Sequence, residues 1–110
     1  MSEPNKAVDY ILKHAAFYAK AKSDRVFLEE FRKSKKALLM KDALARGIEA
    51  ANAQEREAYA HPEYIELLRG LETAIEKEET FKWNLEAARM RVDIWRTEQA
   101  NNRTIDRSTQ

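Results

Sequence analysis

The stretch Ala60-His61-Pro62-Glu63-Tyr64 decides how this chain folds. Proline fits the first turn of a helix, where the N–H it lacks has no intrahelical partner, and it pushes the residue before it out of helical geometry. His61-Pro62 is therefore a corner, and no proline follows it. Everything from Tyr64 to about Asn102 reads as one helix, roughly 60 Å long at 1.5 Å per residue. A helix so much longer than the ~12-residue average needs packing partners along its length.

Within that helix Tyr64, Leu68, Leu71 and Ile75 recur at four- and three-residue spacing. The polar run Glu76-Lys77-Glu78-Glu79-Thr80 follows, and the period resumes with Phe81, Leu85, Ala88, Val92 and Trp95. The drift of this stripe suits a left-handed supercoil, with a stutter at the polar run absorbing the excess. Trp83, Ala87, Met90 and Ile94 form a second stripe well round the helix. One partner cannot cover both, so the second stripe is expected to be an oligomer interface and the chain a homo-oligomer.

Upstream of the corner the chain is also helical in pattern. Pro4 suits a first helical turn with Ser2 as its cap, and Val8, Ile11, Leu12, Ala15, Tyr18 and Ala19 mark one face. After Ser23-Asp24 the residues Phe27, Leu28, Phe31 and Leu38 gather on one side as an expected core face. Ala37, Met40, Leu44, Ile48 and Ala51 form a further stripe, rotated from the first, which calls for a bend or a break near Ser34. Gly47 weakens the helix, which is expected to end between Gly47 and Asn52. The expected organisation is all-α, a helical hairpin or coiled-coil-like bundle in a single domain over residues 1–102. Its helices span about 4–22, 24–58 with the break near 34, and 62–102, with a disordered tail at 103–110.

Composition narrows the function. The chain has 110 residues, 35% of them charged, with two glycines, two prolines and no cysteine. Long helices are favoured over turns and sheets, and neither a disulfide framework nor a thiolate metal site is available. No apolar run approaches the ~18 residues that span a bilayer, and Met1-Ser2-Glu3-Pro4 lacks the features of a signal peptide. No Gly-rich phosphate loop or nucleophile elbow is present. His61 with Glu57 or Glu63 matches no zinc spacing. Glu72, Glu76 and Glu79 lack the Glu-x-x-His of di-metal bundles. The expectation is a protein without enzymatic activity, cofactor, metal, membrane contact or small-molecule substrate.

Charge is distributed unevenly although the net charge is only +1. Residues 20–46 hold nine Lys/Arg against four Asp/Glu, whereas residues 47–80 hold three against nine. On the first of these segments Lys22, Arg25, Arg32, Lys33 and Lys36 cluster opposite Phe27 and Phe31. Such a row of cations suits a phosphate backbone, and it also suits the acidic run Glu72 to Glu79, within the chain or across an oligomer. Trp83 is a candidate interface anchor, whereas Trp95 suits packing within the bundle.

Three stretches resemble small helical proteins encoded by tailed bacteriophages and prophages. They are Glu29-Glu30-Phe31-Arg32-Lys33-Ser34-Lys35-Lys36-Ala37-Leu38-Leu39-Met40, Gln54-Glu55-Arg56-Glu57-Ala58-Tyr59-Ala60-His61-Pro62-Glu63-Tyr64 and Trp95-Arg96-Thr97-Glu98-Gln99-Ala100-Asn101-Asn102-Arg103. Such proteins belong to early gene clusters that also encode recombination and single-strand-binding functions. The resemblance implies, by gene association, a role near phage DNA metabolism in the bacterial host cytoplasm, and the first reading is a helical oligomer accessory to phage DNA recombination or replication. Its basic surface would meet DNA or an acidic phage or host DNA-metabolism protein. The other reading is a structural adaptor or assembly protein that acts only through protein–protein contacts.

Overall fold

A computed structural model describes residues 3–109, so the Ser2 cap and the end of the expected tail at Gln110 lie outside the described residues. The described residues form three helices and no strand: α1 (Glu3–Ala45), α2 (Ala51–Ala60) and α3 (Pro62–Thr109). The fold is all-α, as the sequence indicates. The chain divides into two compact units, the first joining residues up to Lys20 with those from Glu79 on, the second Ala21–Glu78.

α1 runs without interruption through Ser23, Asp24 and Ser34, where breaks were expected. The reason is which residues face inward. In the second unit the inward positions of α1 are Ala21, Arg25, Leu28, Arg32, Lys35 and Leu39, all buried or half-buried and spaced four-three-four-three-four. That is one unbroken heptad seam, and both serines lie off it. The rotation inferred from the bulky residues disappears, because Phe27, Phe31 and Leu38 are 63%, 36% and 56% exposed. Of the expected core face only Leu28 turns inward.

The same shift occurs on α3. Its inward residues in the second unit are Tyr64, Leu67, Leu71, Ala74 and Glu78, while Leu68 and Ile75 are 38% and 41% exposed. The seam needs no stutter across residues 76–80, since Glu78 itself occupies a seam position. Leu39, Ala58 and Tyr64, one from each helix, form the core of this unit, with Met40 packed against them.

Two corners join the helices of the second unit. Gly47 closes α1 with a left-handed φ of +99°. The Ile48 N–H donates to the Ala43 carbonyl and the Gly47 N–H to that of Leu44, both at 3.0 Å, which together satisfy carbonyls left open at the helix end. The Gln54 side chain ties down the following loop by donating to the Ile48 and Glu49 carbonyls. At the second corner His61 is extended, as a residue before proline should be, and its ring Nδ1 accepts the Glu63 N–H at 3.1 Å. His61 thus caps α3.

In the first unit the inward positions are Pro4, Ala7, Ile11, His14 and Tyr18 on α1, with Phe81, Leu85, Ala88 and Val92 on α3. The latter four were legible as a stripe. Phe17 and Phe81 meet across the two helices with ring centroids 6.1 Å apart. His14 stacks on Tyr10 at 3.9 Å and donates through Nδ1 to the Tyr10 carbonyl. Val8 and Leu12, expected inside, are 44% and 73% exposed. α3 remains helical to Thr109, so residues 103–109 form helix where a disordered tail was expected. No helix among the described residues is long and apolar enough to cross a membrane.

Candidate nucleic-acid interface

The five cations expected to form one basic face divide into three groups. Arg25 is committed inside the fold: its guanidinium donates through Nε and Nη2 to the two carboxylate oxygens of Glu78, and through Nη1 to Glu29 at 2.9 Å. The Glu78 side chain is only 10% exposed and that of Arg25 24%. These bonds, that to Glu78 first, raise the pKa of Arg25 above its ordinary value and so favour the charged guanidinium. Arg25 is therefore a structural cation and not available to a ligand. Lys22 is exposed, and no described residue forms an ion pair with it.

Arg32, Lys33 and Lys36 come together with two aromatic side chains. They line a shallow hollow of about 480 Å³ with Tyr59 of α2 and Tyr64 of α3. Arg32 projects from a seam position, is half-buried, and has no carboxylate partner among the described residues. Lys33 reaches Glu30 at 3.3 Å on the exposed rim. Lys36 bonds to Glu55 at 3.0 Å and holds its ammonium 4.7 Å from the centre of the Tyr59 ring. Its pKa is raised, first through the Tyr59 side chain and then through Glu55. Tyr59 stands edge-on to Tyr64 with centroids 5.4 Å apart and is 45% exposed.

Three helices are needed to assemble this hollow. The spacing of residues on α1 reveals the cations but not the tyrosines, which the corners at Gly47 and His61-Pro62 bring back against α1. The signal was present in the Tyr59 to Tyr64 corner, where two aromatic residues flank the proline that orients them.

The other expected partner of the basic face, the acidic run of α3, pairs among the described residues with one of the five cations, Arg25 through Glu78. Lys35, which was not singled out, bridges to Glu63 at 3.1 Å. In the first unit Trp83, Met90 and Ile94 are 59%, 54% and 58% exposed, and Ala87 lies exposed between them. They form an outward stripe, with the Trp83 indole N–H donating to Glu79 at 3.1 Å. Among the described residues no group of three His, Cys, Asp or Glu side chains is placed to hold a metal ion. Comparison with protein-family models, curated proteins and solved structures finds no match to this chain.

Proposed function

We propose that this chain is a non-enzymatic accessory to phage DNA recombination or replication that contacts single-stranded nucleic acid through the Arg32-Lys33-Lys36 hollow. The observation that carries this reading is Arg32, a half-buried guanidinium without a carboxylate partner, beside two further cations and an exposed tyrosine ring. A cation taken partly out of water gains most from an anionic partner, and the planar guanidinium suits phosphate oxygens. The partly exposed Tyr59 ring, with the Lys36 ammonium over it, gives an unpaired base an aromatic surface to stack on beside a cation, which a duplex with its bases already stacked cannot use. The phage setting rests on the resemblance of the three stretches quoted above. Titration of a fluorescent oligonucleotide at several salt concentrations tests it, with binding that weakens linearly in log salt as the expected result.

A second reading, an adaptor working through protein contacts alone, is favoured by the outward stripe Trp83-Ala87-Met90-Ile94. Tryptophan and methionine are enriched at the centres of interfaces, and here neither is needed for the fold. An adaptor would leave the oligonucleotide unbound at low salt.

A further inference from the structure

On one side of the second unit α1 turns Phe27, Phe31 and Leu38 outward, and the two phenylalanine rings stack nearly parallel with centroids 5.6 Å apart. Beside them lies a groove of about 360 Å³ between Phe27 and Leu28 of α1 and Gly70, Thr73 and Ala74 of α3, with Asp24 and Lys77 also lining it. Gly70 is in the middle of a helix, where glycine weakens the structure relative to alanine. A Cβ added there would meet nothing within 4 Å, so no neighbour in the chain requires its absence. Its small size keeps the groove open to something outside.

The charges on this face say what fits. Phe27, Phe31, Ser34 and Leu38 follow one another at four-three-four spacing, with Asp24 before them and Lys41 after them on the same side of the helix. We propose that a second copy of this chain docks here, its α1 running antiparallel to the first about a two-fold axis midway between Phe31 and Ser34. That operation sets Phe27 against Leu38 of the second copy and Phe31 against Ser34, bulk meeting bulk at the ends and bulk meeting small at the centre. It also sets each Asp24 opposite a Lys41, and the antiparallel helix dipoles add to the attraction. The second copy's Leu38 comes over the Gly70 groove. The Trp83 stripe offers no such pair, because the positions three residues outside it are Thr80 and Thr97 and the same operation brings no opposite charges together.

Light scattering on the full chain over a concentration series tests the docking. Wild type is expected at twice the single-chain mass of 12.8 kDa. Leu38→Glu and Gly70→Gln are expected at the single-chain mass, and the second of these raises helix propensity, so a preserved thermal melt separates lost docking from lost folding. Asp24→Lys or Lys41→Asp alone should weaken the dimer roughly tenfold, and the two together should restore it, which a folding defect would not do. A wild-type chain that stays at single-chain mass throughout overturns the proposal. So does a dimer that survives both Leu38→Glu and Gly70→Gln but is lost with Trp83→Glu.

Discussion

Arg25 of α1 grips Glu78 of α3 across 53 residues of chain, and each occupies a seam position of its helix. The pair explains why the polar run at residues 76–80 interrupts nothing. A charged seam residue stabilises a bundle poorly compared with leucine, but it pairs productively in only one register, because any slip leaves two charges half-buried and unpaired. With the small seam residues Ala21 and Ala74 offering little to choose between registers, this pair sets how α1 and α3 align within the second unit.

Removing one member of the pair should therefore cost more than removing both. Glu78→Ala leaves the half-buried Arg25 with Glu29 as its remaining partner and is expected to lower the melting temperature by several degrees. Arg25→Leu combined with Glu78→Leu should recover most of that loss. Thermal melts followed by circular dichroism decide it, and an unchanged Glu78→Ala would mean that the pair contributes nothing.

Where the three helices of the second unit meet, the packing around Leu39, Ala58 and Tyr64 leaves no room for enlargement. Ala58 is fully buried at the meeting point of all three helices, so Ala58→Leu should destabilise by about 1–3 kcal/mol through overpacking. Leu12, 73% exposed, is the contrast: Leu12→Ala should stay within about 0.5 kcal/mol in urea unfolding.

At the end of α1 a glycine is required by its conformation. Gly47→Ala must hold a side chain at φ +99° and is expected to cost about 1–2 kcal/mol, although space around the position is open. Equal stability of the two proteins in denaturant titration would argue against the left-handed closure.

Lys36 carries a testable pH dependence. Its folded pKa is raised above the ordinary value of 10.5, so its contribution is complete below that value and is lost as pH climbs through the folded pKa. Wild type should melt above Lys36→Met at neutral pH, and the gap should close in the alkaline range beyond 10.5. A gap that stays constant through that range would show that the ammonium is not what stabilises.

What the sequence revealed and what it hid have one physical cause. The helical class, the corner at His61-Pro62 and the Phe81 to Val92 stripe were legible, since proline geometry is local and those seam residues are large. Elsewhere the seam is built of Ala7, Ala21, Ala43, Arg25, Arg32 and Glu78, residues that a search for bulky apolar periodicity passes over. Phe27, Leu38 and Leu68 drew the expected faces about one position away from the true ones. The cations of the candidate interface were legible one by one, yet their fates were not: only the pairing of α1 with α3 shows Arg25 consumed by Glu78 and Arg32 left beside Tyr59.

The measurement closest to the central claim compares wild type, Arg32→Gln and Tyr59→Ala in binding a fluorescent single-stranded oligonucleotide across a salt series. Salt-sensitive binding is predicted for wild type. Arg32→Gln should bind more weakly and flatten the log–log salt slope by about 0.7, one phosphate contact on a single strand. Tyr59→Ala should lose the ~1–3 kcal/mol of a stacked base with its salt slope unchanged. Arg25→Gln, altered at a cation already held by Glu78, should keep the wild-type slope. Binding that ignores Arg32 and Tyr59, or no binding by the folded wild-type protein at low salt, would contradict the account.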